Sequence, residues 1–150
     1  MTEHTQRKYN GPYSTTDIII KYTNGEKTGI VLIERKNPPY GKALPGGFAE
    51  VGLTLEQNAC KEAREETNLE VILENPGTPL VYSDPKRDPR GHMISHTYYA
   101  RGEGILRAGD DASGAELYTI EEVKEMFGKK ILVFDHETIL KDYLRTRGHL

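Results

Sequence analysis

The sequence predicts an α/β fold of the α+β kind, an α/β/α sandwich on a mixed β-sheet. Three observations carry this. Two β-branched runs flank an Asn24-Gly25 turn, a capped helix occupies residues 55–67, and further strand and helix patterns alternate between long loops.

Residues 1–12 are polar and read as a flexible N-terminal arm. Thr16 to Tyr22, with Ile18, Ile19 and Ile20, reads as a strand, and Thr28 to Glu34 as a second, which together suggest a hairpin. Residues 36–47 hold Pro38, Pro39, Pro45, Gly41, Gly46 and Gly47 and read as loop. Thr54 can cap a helix over 55–67, with Gln57 completing a capping box. Asn68 suits the left-handed position just past its end. Residues 74–79 and 83–91 are loops, while Leu80 to Tyr82 and Met93 to Ala100 look like strands. Residues 107–115 read as loop, Leu117 to Ile120 as a short strand, and Ile120 to Phe127 and His136 to Arg147 as helices.

The bulk properties narrow the function. A chain of 150 residues supports one compact core, so residues 1–150 are expected to form a single domain. A mean hydropathy of −0.64, and no apolar run near the roughly 20 residues that span a bilayer, argue against a membrane partner. The polar start lacks a signal-peptide h-region, and Cys60 is the only cysteine, so a reducing, cytoplasmic setting is expected. A net charge of −3 with dispersed basic residues argues against a nucleic-acid polymer. The local group Lys86, Arg87 and Arg90 suffices for one diphosphate.

Chemistry concentrates in the 55–67 helix. Glu62 and Glu66 are four apart and share a face, with Glu65 beside them. Glu65 and Glu66 sit in the last turn, where the helix dipole disfavours anions. Glutamate-rich helices are often merely solvated faces. Here the helix follows Leu44-Pro45-Gly46-Gly47, whose glycines let the backbone approach a ligand closely. A hard divalent cation with oxygen ligands would complement the carboxylates.

The stretch Gly47 to Leu69 resembles the Nudix box, G-x5-E-x7-R-E-U-x-E-E-x-G-U, with U a bulky apolar residue. Gly47, Glu62, Glu65, Glu66 and Leu69 take their family positions. Leu53 stands in place of the first glutamate, Lys61 of the arginine, Ala63 of an apolar residue and Asn68 of the final glycine. Lys61 keeps a charge but is expected to lose the planar fork that braces carboxylates in two directions. The loss at Leu53 is expected to lower metal affinity or activity.

The resemblance implies the Nudix α/β/α sandwich and an Mg²⁺-dependent pyrophosphohydrolase, with Mn²⁺ as an alternative cofactor. It assigns metal binding to Glu62, Glu65, Glu66 and the Gly46 carbonyl. Pro85 lies 16 positions beyond Leu69, an offset that marks the ADP-ribose pyrophosphatase branch, so the implied reaction yields AMP and ribose 5-phosphate. Relatives often draw a late-loop carboxylate into catalysis. Asp110, Asp111 and Glu103 are candidates, and the Asp110-Asp111 pair is favoured. The resemblance also implies a homodimer.

Substrate contacts are expected from Gly47, from Arg35, Arg87 and Arg90 on phosphates or ribose, and from Tyr40, Phe48 or Tyr82 on adenine. Asp88 is expected to pair with a neighbouring arginine. Cys60 reads as a buried small residue, His92 and His96 as a conceivable zinc pair, and His136 carries no readable signal. Two other functions compete: hydrolysis of another nucleoside diphosphate derivative or a triphosphate, and a ligand-sensing module with a degenerate box. The chain's end at Leu150 leaves no room for a winged helix, which sets the expectation that it is not a transcription regulator.

Overall fold

The structure, a computed structural model, describes residues 11–109 and 112–150. The described residues form eight strands and three helices. The strands are β1 (Tyr13–Asn24), β2 (Lys27–Arg35), β3 (Lys42–Ala43), β4 (Gly46–Phe48), β5 (Glu70–Leu73), β6 (Leu80–Tyr82), β7 (Met93–Glu103) and β8 (Ala112–Tyr118). The helices are α1 (Leu55–Thr67), α2 (Ile120–Met126) and α3 (His136–Thr146).

The sheet is mixed, as expected. β1 lies parallel to β7 from Tyr13 to Lys21, and the other pairings are antiparallel. Opposite β7, β1 pairs first with β4 and then, through the Asn24-Gly25 turn, with β2. The isoleucine run explains the layering. Ile18 and Ile20 pack with Ala59 and Ala63 of α1, while Ile19 packs with Val123 of α2 and Ile139 and Leu140 of α3. A strand buried on both faces reads as continuous apolar sequence. Each isoleucine so buried contributes roughly 1.5–3 kcal/mol.

The 55–67 helix forms with the expected boundaries. Thr54 accepts the Gln57 N–H and Gln57 returns a bond to the Thr54 N–H. Asn68 ends the helix at φ 66°. Its side chain also donates to the Ile105 carbonyl at 2.7 Å, which ties the loop after β7 to the end of α1.

Several boundaries differ from expectation. β8 starts at Ala112, inside the segment read as loop, because its partner is the long edge of β2, Ile30 to Arg35. The 36–47 loop contains β3 and the start of β4, which are too short to show a period. β5 carries glutamate at its start and takes its register from β7. The N-terminal arm falls largely outside the described residues.

Candidate functional site

The site lies where β4 and the C-terminal half of α1 meet the end of β2. Gly46 and Gly47 pair with Asp17 and Thr16 of β1, which places the Leu44–Gly47 loop across the sheet edge. Three further bonds hold this loop. Ile18 donates to the Pro45 carbonyl at 2.9 Å, Gly46 donates to Glu66 Oε1 at 2.7 Å, and Leu44 donates to His136 Nδ1 at 3.0 Å.

Glycine at position 47 lets the loop approach α1 closely. A Cβ there would sit 2.7–2.9 Å from the Glu62 carboxylate. The loop and the carboxylate therefore meet so closely that an added methyl would displace the Glu62 carboxylate. Glu66 is buried, and that burial, helped by the charges of Glu62 and Asp17, pushes its pKa up to about 8. The Gly46 N–H and Arg35 act against this shift. Two neighbouring carboxylates, one desolvated, form an oxygen-donor set that a hard divalent cation would relieve. Among the described residues no three His, Cys, Asp or Glu side chains are grouped to hold a metal.

Glu65 faces outward and binds Lys61 at 2.7 Å, and the same ammonium reaches Glu50 at 3.1 Å. This corrects the expectation for Lys61. An ammonium carries several donors, so it spans two carboxylates without a planar fork. Leu53 is half-buried and closes a tight turn onto the Glu50 carbonyl.

Two adjoining hollows open beside this loop. The larger, about 430 Å³, is lined by Glu62, Glu66, Gly46, Gly47, Arg35 and Lys36 among others. The smaller, about 70 Å³, adds Asp17, Arg87, Asp88, Phe134 and His136. Phe48, Arg35 and Arg90 line both. The Arg90 guanidinium lies over the rings of Phe48 and Phe134, at 5.2 and 5.0 Å, and Asp88 grips its fork at 2.8 and 3.1 Å. Arg35 stands over Phe134 at 5.1 Å, anchored on the Pro39 carbonyl at 2.8 Å. The structure thus brings Glu62, Glu66, Gly46, Gly47, Phe48, Arg35 and Arg90 together.

Other expected residues are engaged by other partners or lie apart. Tyr40 is 70% exposed and Tyr82 bonds Asp142 at 2.9 Å. Arg87 is buried, and its fork is taken by Asp135 at 2.7 and 2.9 Å. It stands in the wall of the smaller hollow. Glu103 is exposed at the end of β7 and lies 4.0 Å from Arg101. Asp110 and Asp111 lie outside the described residues. The preceding Gly109 donates to the Glu66 carbonyl at 3.0 Å, and a Cβ there would overlap the Glu65 carbonyl.

Cys60 is half-buried rather than buried, with its thiol pKa raised by burial. His92 and His96 meet the Ser83 and Thr15 carbonyls.

Sequence reasoning missed four residues of the site: Asp17, Phe134, Asp135 and His136. Asp17 is a buried carboxylate that accepts the Ser95 hydroxyl at 2.5 Å and faces His136 at 3.6 Å. Phe134 adopts φ 56°, a left-handed conformation that a bulky residue rarely takes and that often marks a functional wall. The one available signal was Asp17, a charge inside an apolar strand.

The NUDIX domain model matches residues 12–143. The chain belongs to the Nudix family. A curated ADP-ribose pyrophosphatase of Methanocaldococcus jannaschii is 43% identical to this Nudix chain over 145 residues, 95% of the chain and 79% of the relative. The ADPR responsive transcriptional repressor NtrR of Acinetobacter baylyi is 28% identical over 147 residues, 94% of the chain but 56% of the repressor. Among solved structures, a MutT/nudix family protein from Enterococcus faecalis superposes with a TM-score of 0.75 at 29% identity, covering 97% of this chain and 67% of that one. The NUDIX domain of Shewanella oneidensis NrtR, complexed with ADP ribose, superposes with a TM-score of 0.78 at 20% identity, covering 98% and 99%. At that identity the likeness concerns the fold.

Proposed function

We propose that this Nudix pyrophosphohydrolase cleaves ADP-ribose to AMP and ribose 5-phosphate, with Mg²⁺ as its cofactor and Mn²⁺ as a substitute. The observation that carries the chemistry is the buried Glu66 carboxylate, bonded to Gly46 and beside Glu62 in the larger hollow. The 43% identity to a named ADP-ribose pyrophosphatase supports the substrate.

Glu62, Glu66 and the Gly46 carbonyl would hold the metal, with Glu65 assisting from the same helix turn. Few protein ligands suffice, because Mg²⁺ is commonly completed by substrate phosphates and water. When bound, the metal supplies Lewis acidity that neutralises phosphate charge and acidifies water. Arg35 and Arg90 orient the diphosphate from the opposite wall, and Phe48 stacks on adenine. Water adds to one phosphorus, the P–O–P bridge breaks, and the bridging oxygen leaves with the other phosphate. Asp110 or Asp111 receives the water's proton, as the carboxylates that follow Gly109. Arg87 acts through Asp135 and Asp17, which it reaches at 2.7 and 4.0 Å. We also assign the chain to the cytoplasm and to a homodimer. No helix among the described residues is long and apolar enough to cross a membrane.

The test is incubation of the purified chain with Mg²⁺ and ADP-ribose, followed by chromatography for AMP. A panel of nucleoside triphosphates, dinucleoside polyphosphates and nucleotide sugars ranks alternatives. AMP release from ADP-ribose at the highest kcat/KM is expected. A different preferred substrate would overturn the assignment of ADP-ribose. The likeness to an ADP-ribose-responsive repressor favours a second reading, a sensor, which tight binding without turnover would establish.

A further inference from the structure

His136 stands 92 residues from the loop it touches and is 2% exposed. Its Nδ1 lies 3.0 Å from the Leu44 nitrogen, whose N–H can only donate. Nδ1 is therefore the acceptor, which leaves the ring proton on Nε2. Nε2 faces Asp17 Oδ1 at 3.6 Å. Asp17 in turn is the β1 partner of Gly46, and Gly46 carries Glu66. Asp135, Arg87 and Arg35 complete the charged groups around the ring, and burial keeps its pKa below the ordinary value.

We propose that His136 is a positioning residue: its Nδ1 acceptor fixes the Leu44 amide and so sets the Leu44–Gly47 loop against Glu62 and Glu66. This deepens the hydrolase reading and rests on it for its catalytic consequence. Its structural content stands alone. Leu44 is buried, so its N–H has no water to turn to, and a buried donor without an acceptor is costly. The loop would then move at the point where Gly47 leaves no clearance for Glu62.

Two isosteric variants separate the ring's two nitrogens. In His136→Asn the amide oxygen takes the place of Nδ1 and keeps the Leu44 acceptor. In His136→Gln the amide reaches the place of Nε2, so a polar group toward Asp17 survives and the Leu44 acceptor is lost. The first readout is amide hydrogen exchange in metal-free, substrate-free protein. Leu44 and Gly46 should exchange at least about tenfold faster in the Gln variant than in the Asn variant. The second is steady-state kinetics, where kcat of the Asn variant should exceed that of the Gln variant at least about tenfold, with KM values within about threefold. Equal exchange, equal kcat or a difference confined to KM would each overturn the proposal. Should either variant fail to fold, the wild-type chain still decides. A through-hydrogen-bond ¹⁵N–¹⁵N coupling between Leu44 and His136 Nδ1 is expected, and its absence overturns the proposal. If ADP-ribose is not cleaved, the hydrolase reading falls while the exchange data still report on the loop.

Discussion

Glu66 Oε1 accepts the backbone N–H of Gly46 at 2.7 Å across 20 residues of sequence, which joins the acidic helix to the glycine loop in one contact. The same burial makes the carboxylate costly. Its folded pKa is about 8, against an ordinary 4.5, so between these values the metal-free folded chain holds a proton that the unfolded chain lacks. Stability of the metal-free protein therefore falls as pH rises through that window. Glu66→Gln keeps the acceptor for Gly46 and removes the charge. In melting curves recorded in chelator it should be more stable than wild type at pH 8, with the gap closing toward pH 4.5. Its ADP-ribose cleavage should drop at least about a hundredfold, through loss of metal-held charge. A metal-free melting temperature independent of pH in both proteins would contradict this account.

Gly47→Ala places a methyl against the Glu62 carboxylate, the far end of a flexible side chain. The carboxylate can swing aside, so folding should survive while the metal site does not. We expect a melting temperature close to wild type, a raised Mg²⁺ requirement and about a tenfold loss of kcat. Titrating activity against Mg²⁺ separates this from simple misfolding.

Lys61 binds Glu65 and Glu50 together, and these contacts raise its pKa, Glu65 first. Lys61→Met should lower kcat/KM about three- to tenfold, since Glu65 and Glu50 lose their shared cation while Glu62 and Glu66 stay in place. The difference from wild type should shrink at high salt, where exposed ion pairs are screened. Lys61→Arg should retain activity.

Buried Arg87 pairs with half-buried Asp135, whereas Arg35 rests on backbone carbonyls at the rim of the cleft. Arg87→Met leaves half-buried Asp135 uncompensated and should cost about 1–3 kcal/mol in denaturant unfolding. The double variant with Asp135→Asn should recover part of that loss. Arg35→Lys should behave oppositely, with little change in stability and about a tenfold higher KM, because the ammonium keeps the charge but not the fork. Equal effects of the two variants on KM would return Arg87 to the substrate.

Much of the fold was legible because its signals are local. The Thr54–Gln57 box and Asn68 bound α1 on either side, and the isoleucine run announced a strand covered on both faces. What escaped was non-local. β3, β4 and β5 are two to four residues long and take their register from partners, so no period marks them. The carboxylate half of the site was readable as a motif on one helix. Its opposite wall comes from Phe134 and His136, whose only link to the box is tertiary contact. Arg87 was read with its nearest sequence neighbours as a basic cluster, while the carboxylate that takes its fork lies 48 residues downstream.

The two-faced burial of β1 constrains more than packing. Successive side chains point to opposite faces, so a slip of one residue would exchange the whole set. Ile18 would then occupy the place where Asp17 meets Gly46 and His136, and the carboxylate would take the buried place of Thr16 against Asn58 of α1. Such a slip would bury a charge on one side and grease the cleft on the other, so alternative pairings of this strand are self-penalising. Length changes should be absorbed at Asn24-Gly25, beyond the last buried position, and rejected between Thr15 and Ile20, where one added residue would cost the core and the chemistry together.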